Sequence, residues 1–172
     1  MQGFINIVDL ITDWTGKLIS WLVLVMVLVT FSVVLLRYFF NTGWIAMQES
    51  VLYMHATVFM LGAAFTLKSN QHVRVDIFYQ RMSKKTKAWI DLVGTLIFLL
   101  PVCILIIYSS WEYVANSWEL QEGSREAGGL PGVYLLKTNI ILMSLLLILQ
   151  GLAEILRNSI FIAHCQSTDR VV

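Results

Sequence analysis

The sequence has little charge and little cysteine. Charged residues make up 13% of its 172 residues, about half of the roughly 25% typical of a soluble domain. Two cysteines, Cys103 and Cys165, are too few for a disulfide-stabilised scaffold. The formal net charge of +1 provides no electrostatic footprint for a nucleic acid. With a hydrophobic fraction of 58% and a mean hydropathy of +0.73, the composition predicts an integral membrane protein and excludes a disordered chain or a conventional soluble enzyme.

The sequence also lacks recognisable catalytic, metal-binding and phosphate-binding motifs. The sequence has no nucleophile paired with a base, no cysteine and histidine cluster with metal-ligand spacing, and no Walker-type phosphate loop. Intramembrane charge is sparse, and no inverted repeat of the kind seen in many transporters is visible. We therefore expect neither an enzyme nor a cofactor bound by this chain.

Four apolar runs dominate the sequence. About 20 helical residues cross the ~30 Å hydrocarbon core of a bilayer. The sequence predicts an all-α membrane bundle in one domain, with a tail over 154–172 and transmembrane helices over 18–36, 50–67, 86–111 and 131–153. We do not expect the first run to be a cleaved signal peptide, because it is long and two aspartates precede it.

Basic residues are distributed unevenly between the loops. Three of the 12 Lys and Arg residues fall on one side of the predicted bundle: Arg37, Arg125 and Lys137. The others fall on the side that holds both termini and the second loop. The positive-inside rule then places both termini in the cytoplasm and the acidic loop 112–129 outside.

Residues 2–17 precede the first span. Their apolar side chains recur at helical spacing and their polar side chains, including Asp9 and Asp13, lie on the opposite stripe. This pattern predicts an amphipathic helix at the membrane surface. A cytoplasmic extension of the first span and a partner-docking helix are the alternatives.

Two charges flank the first predicted hairpin. Arg37 follows the first span in the segment Arg37-Tyr38-Phe39-Phe40-Asn41, and Glu49 opens the second. The hairpin can bring them together as an ion pair, or each can meet a partner protein. A proton site at Glu49 is the functional alternative.

Polar residues within the spans have packing roles in this interpretation. His55 is expected to be a packed, hydrogen-bonded side chain rather than a metal ligand. Asn139, Gln150 and Glu154 fall on one stripe of the fourth helix at 100° per residue, where they face a neighbouring helix or the interior of the bundle, because polar groups facing lipid are costly.

The second loop is mixed apolar and basic. It includes His72 and Asp76, and Ser83 is a candidate N-cap for the third helix. Three lysines that follow, Lys84, Lys85 and Lys87, are candidates for contact with anionic lipid headgroups. A solvated basic loop and a contact with a partner are the alternatives.

Several short motifs, in order and at matching spacing, resemble the small membrane subunit of tripartite ATP-independent periplasmic (TRAP) transporters. The resemblance covers about residues 14–157. The matching motifs are Arg37-Tyr38-x-Phe40-Asn41, Glu49, Gly62-Ala63-Ala64, His72-Val73-x-Val75-Asp76, Gly129-Leu130-Pro131 and Leu149-Gln150. One departure is Gln48, where relatives often carry a second acidic residue beside Glu49.

The resemblance implies a role that the residues alone do not show. In such systems a periplasmic binding protein delivers an organic acid, such as sialic acid or a C4-dicarboxylate. A separate large subunit carries substrate and Na+ by an elevator motion, and the small subunit packs one-to-one against its scaffold in the bacterial inner membrane, among phospholipids. This implies two sets of candidate residues. Those for structural or subunit contacts are Arg37, Asn41, Glu49, His72, Asp76 and Gln150, and those for contact with the binding protein are Glu119, Glu122, Arg125 and Glu126.

Two other functions remain open at the level of sequence. The chain could be a self-contained proton-coupled transporter that uses Glu49, or a haem-bearing membrane anchor. Haem ligation by two histidines would need a second histidine at membrane depth beside His55, and His72 and His164 both fall in predicted cytoplasmic segments.

Overall fold

A computed structural model describes residues 2–72, 79 and 82–168, with side chains as far as residue 164. Within these residues there are four long helices and no strand: α1 Gln2–Phe40, α2 Ile45–Lys68, α3 Lys84–Glu119 and α4 Val133–Thr168. All four are long and apolar enough to cross a membrane. The predicted all-α bundle of four spans is confirmed.

The helices extend beyond the predicted spans. The predicted tail 154–172 continues α4 in helical form to Thr168. At its other end α4 begins at Val133, two residues later than predicted, because the carbonyl of Gly132 accepts the first helical bond, from Leu135 N. Pro131 therefore precedes the helix.

The N-terminal segment 2–17 is helical, and it continues into the first span without a break. The structure therefore agrees with the alternative in which this segment extends the first span. Ile5, Val8, Thr12 and Gly16 are its buried residues, spaced three or four apart so that they share one face. Much of the predicted apolar stripe points outward instead, and Trp14 is 63% exposed.

Helix α3 has a local irregularity near its middle. Its N-terminus is capped as predicted, since Ser83 Oγ accepts a hydrogen bond from Thr86 N at 3.2 Å. Residues Thr95–Leu99 form a π-helical turn, in which Leu100 N donates to Thr95 O, and Pro101 follows directly. The wider turn accommodates the missing N–H of the proline without ending the helix.

Helix α4 is the centre of the bundle. It packs against α1, α2 and α3, while α1 and α2 also pack on each other. The α3 helix packs closely on α4 at Gly151, where an added Cβ would lie 2.7 Å from Leu99 Cδ2. The bundle therefore has α3 on one side of α4 and the α1–α2 pair on the other.

A residue with a left-handed backbone conformation follows each of the first three helices. Asn70 follows α2 and Gln121 follows α3, with φ of 53° and 46°. Both ends have the 6→1 and 5→2 bonds of a Schellman motif, for example Glu122 N to Ser117 O at 3.0 Å. Asn41, after α1, has φ 51°, a conformation that asparagine tolerates better than most residues.

The turns divide the bundle into two ends. We call the end that holds residues 41–44 and 120–132 the loop end, and the opposite end, which holds the N-terminus and the C-terminal part of α4, the terminal end. One polar cluster lies at each end.

Candidate functional site

Glu49 fastens the segment 120–132, between α3 and α4, to the start of α2. Its Oε1 accepts a hydrogen bond from Ser124 Oγ, and its Oε2 accepts one from Leu130 N at 2.6 Å. Ser124 N also donates to Leu130 O at 3.0 Å. Three bonds therefore join Glu49 and the two sides of this segment, which we call the latched loop.

The latched loop depends on a close approach at Gly129. A Cβ added there would lie 2.5 Å from Ser124 Cβ and 2.8 Å from Glu49 Oε2, distances that real Cβ atoms do not show. Gly129 N donates to Glu126 O at 3.0 Å, and Glu126 N donates to Ser124 Oγ at 3.1 Å. Only glycine leaves room for the Glu49 carboxylate beside the loop.

Glu122 holds the base of the latched loop. Its Oε2 accepts hydrogen bonds from Lys137 Nζ and from Ser117 Oγ, the latter at 2.7 Å. Lys137 Nζ also lies 3.8 Å from the centroid of the Tyr113 ring. Hydrogen bonding from Lys137, followed by that from Ser117, holds the pKa of Glu122 below its ordinary value.

This lowered pKa predicts an acid-dependent loosening of the loop. Because Glu122 has a lower pKa in the folded chain than in the unfolded chain, its contribution to stability is complete above the ordinary value of 4.5 and is lost as the pH falls through the lowered value. Glu122→Gln should remove this contribution, so that the difference in thermal stability between wild type and variant is present at neutral pH and disappears in acid. Glu126→Gln, at an exposed position of the same loop, is the control and should not change the pH profile. A pH-independent difference for Glu122→Gln would contradict this role.

Glu49 does not pair with Arg37. The Glu49 carboxylate bonds to the latched loop, and in the part of the chain that the structure describes Arg37 is exposed and forms no ion pair. The hypothesis of an ion pair within this hairpin is wrong, because the loop between α3 and α4 occupies the carboxylate. Asn41 is also exposed, at the left-handed end of α1.

The second cluster lies at the terminal end and centres on Gln150, which is fully buried. Gln150 Oε1 accepts a hydrogen bond from Thr12 Oγ1 at 2.9 Å, and Gln150 Nε2 donates to Asp9 Oδ1 at 3.4 Å and to Glu154 Oε1 at 3.3 Å. Arg157 bridges the two carboxylates, at 2.8 Å from Asp9 and 2.6 Å from Glu154. We call these five residues the Gln150 cluster. It joins α1 to α4.

The polar stripe predicted on α4 is confirmed as an internal one. Gln150 and Glu154 point into the bundle, and Asn139, 7% exposed, donates to Thr57 Oγ1 at 3.0 Å. On α1, Asp13 pairs with Lys68 at 2.5 Å. The two aspartates of segment 2–17 thus bond to neighbouring helices, Asp9 to α4 and Asp13 to α2.

The other candidate residues are spread over the surface. Among those proposed for a binding protein, Glu119, Arg125 and Glu126 are exposed and Glu122 is tied into the loop. His72 is exposed, and Asp76 lies outside the described residues. Of the three lysines, Lys84 is exposed, Lys85 is half-buried, and Lys87 lies 5.1 Å from the centroid of the Tyr79 ring.

His55 differs from expectation. It was expected to be packed and hydrogen-bonded, but it is exposed on α2 and has no hydrogen-bond partner among the residues that the structure describes. Within the described ranges, no three His, Cys, Asp or Glu side chains are grouped so as to hold a metal ion.

The sequence is similar to known membrane proteins over most of its length. A family model, Tripartite ATP-independent periplasmic transporters, DctQ component, matches residues 26–160. The C4-dicarboxylate TRAP transporter small permease protein DctQ of Vibrio cholerae is 30% identical over 113 residues, which are 65% of this chain and 48% of that protein. A putative TRAP transporter small permease protein of Haemophilus influenzae is 34% identical over 93 residues, or 54% of this chain and 56% of that protein. The chain spans about half the length of these curated relatives, and no solved structure matches it.

Proposed function

Since the chain belongs to the DctQ component family of tripartite ATP-independent periplasmic transporters, we propose that it is the small auxiliary membrane subunit that packs against the scaffold of a large transport subunit. In this proposal the chain binds the large subunit one-to-one, and the large subunit carries the substrate and Na+. A periplasmic binding protein delivers an organic acid, with sialic acid and C4-dicarboxylates as candidate classes.

The observation that carries this proposal is the contrast between the inside and the outside of the bundle. Polar groups in the interior bond to each other in the Gln150 cluster and in the Asn139–Thr57 pair. Within α1, which is described in full, no residue of the most hydrophobic stretch is buried. In such a bundle these internal polar side chains bond within the chain, while α1 exposes an apolar surface. This combination suits a protein that joins a larger membrane assembly.

The latched loop supports a second part of the proposal. We place the loop end in the periplasm and the terminal end in the cytoplasm, following the distribution of basic residues. In that orientation the latched loop presents Arg125 and Glu126 to the binding protein on a hydrogen-bonded frame, and the end of α3 presents Glu119 beside them. Lys84, Lys85 and Lys87 then lie at the cytoplasmic headgroups.

Glu49 has a structural role in this account. A proton-carrying carboxylate needs a path and a change of partner, whereas Glu49 is held by a hydroxyl and a backbone N–H at once. Glu49→Gln should therefore reduce transport only as far as it loosens the loop. Abolished transport in a fully assembled complex, with an unchanged loop, would instead indicate proton coupling by Glu49.

Co-purification tests the proposal. The affinity-tagged chain should be extracted in a mild detergent from membranes in which its neighbouring genes are also expressed. The expected result is a complex whose native mass corresponds to this chain and one large multi-span protein. A chain that purifies by itself, and takes up solute by itself in liposomes, would overturn the proposal.

A further inference from the structure

An exposed imidazole interrupts the apolar outer face of α2. His55 lies on the same face as Gln48, Leu52 and Phe59, because these residues are spaced three or four apart. Leu52 is 58% exposed and Phe59 is 76% exposed, and Gln48 and His55 are exposed as well. This face, which we call the His55 face, points away from the bundle.

The position of His55 places it within the hydrocarbon. It is six residues along α2 from Glu49, which is about 9 Å at 1.5 Å per residue. Lys68, at the far end of α2, is a further 13 residues away, or about 20 Å. Long lysine and arginine side chains can extend from within the hydrocarbon to the interface. The imidazole of His55 is joined to the backbone by a single methylene, so it is too short to do so.

The nearby hydroxyl group of Thr30 does not satisfy His55. Thr30 lines the same groove, but its Oγ1 donates to Met26 O at 2.7 Å, and among the described residues it forms no hydrogen bond with His55. A neutral imidazole has one donor and one acceptor. Leaving them unpaired in hydrocarbon is costly, and lipid tails provide no partner.

A groove beside the His55 face can receive side chains of another helix. It lies between α1 and α2, has a volume of about 470 Å³, and is lined by Met26, Phe31 and Val34 of α1 together with Val51 and His55 of α2. The α1 side of the groove belongs to the stretch that has no buried residue. The groove is otherwise apolar but also holds the imidazole of His55 and the hydroxyl of Thr30, and polar side chains of this kind form hydrogen bonds between transmembrane helices.

We propose that the His55 face and the adjoining α1–α2 groove are the surface against which a transmembrane helix of the large subunit packs, and that this helix supplies a hydroxyl, carboxamide or backbone carbonyl group to His55. The proposal rests on the proposed function, because it assigns that partner to one side of the bundle. It leaves α3, on the opposite side of α4, facing lipid.

Site-specific photo-crosslinking tests which side is covered. A benzophenone side chain should replace Leu52 in one variant and Tyr108, which is 83% exposed on α3, in a control variant, each within the assembled complex. We expect cross-linking to the large subunit from position 52 at several times the yield from position 108. Equal or greater yield from position 108, or products from position 52 that contain only lipid or a second copy of this chain, would overturn the proposal.

Substitution of His55 tests the hydrogen bond. His55→Leu should weaken retention of the large subunit by about three- to twenty-fold, which is the effect of a single interhelical hydrogen bond in a membrane. His55→Gln should restore most of the retention, and Tyr108→Leu should not change it. Size-exclusion chromatography of each chain checks that it is folded. Unchanged retention for His55→Leu would overturn the proposal, because a lipid-facing histidine predicts that result.

These outcomes separate the two proposals. If the wild-type chain retains the large subunit but either the cross-linking result or the His55→Leu result is the contrary one, the assignment of the His55 face is wrong and the proposed function stands. If the wild-type chain retains no large subunit under any condition, both proposals fail.

Discussion

Replacing Gln150 with glutamate should destabilise the bundle by about 3 kcal/mol or more, the cost of leaving a buried charge uncompensated. Gln150 is fully buried and its amide nitrogen donates to the carboxylates of Asp9 and Glu154. The substitution keeps the shape of the side chain but replaces both donors with a third negative charge. In the part of the chain that the structure describes, a single cation, Arg157, pairs with both existing carboxylates.

The measurement is equilibrium unfolding of the purified chain in detergent micelles at neutral pH. Gln48→Glu is the matched control, because it makes the same substitution at an exposed position, where we expect a change of about 0.5 kcal/mol or less. Lowering the pH should return part of the stability to Gln150→Glu, since protonation removes the added charge. Equal stability of the two variants would show that the Gln150 cluster does not hold α1 to α4.

Replacing Gly129 with alanine should release the latched loop. The added Cβ would overlap Ser124 and come within 2.8 Å of Glu49 Oε2, so the loop must move away from the carboxylate. Loss of the hydrogen bonds to the charged carboxylate should raise the equilibrium constant for opening of the loop by about ten-fold or more. We expect hydrogen exchange at the Leu130 amide to accelerate by that factor, with the four helices unchanged.

The same variant separates the loop from assembly. In the proposed function, Gly129→Ala keeps the large subunit bound but lowers uptake that depends on the binding protein. Gly123→Ala, in the same loop, is the control because its added Cβ would lie 3.6 Å from Pro131 Cα, an ordinary contact. Normal Leu130 exchange in Gly129→Ala would contradict the latch, and normal uptake with rapid exchange would contradict its role in docking.

Sequence reasoning located the helices because each needs a long apolar run, and hydropathy is readable residue by residue. It also placed Asn139, Gln150 and Glu154 on one stripe of α4, because helical geometry fixes the angle between positions on the same helix. Both predictions depend on local spacing alone.

The partners of the charged residues were not readable in this way. Asp9 and Arg157 are separated by 148 positions, and Glu49 meets Ser124 and Leu130 only because the loop folds back at Gly129. Arg37, nearer in sequence to Glu49, was the natural partner to propose. Residues that satisfy a charge across helices depend on how the helices pack, which a single sequence does not specify.

His55 shows a second limit. In a soluble bundle the apolar face of a helix points inward, so an isolated polar residue on that face is read as buried. In a membrane both faces of a helix are apolar, and periodicity no longer distinguishes the inside from the outside. The structure was needed to place His55 on the outer face of α2.

Reconstituted uptake tests the central proposal most directly. Proteoliposomes should contain this chain alone, the large subunit alone, or both, each with and without the periplasmic binding protein and an inward Na+ gradient, and uptake of a labelled organic acid should be measured. The account predicts uptake only when both membrane subunits and the binding protein are present, and none from this chain alone. Solute uptake by this chain alone, or full uptake by the large subunit without it, would contradict the account.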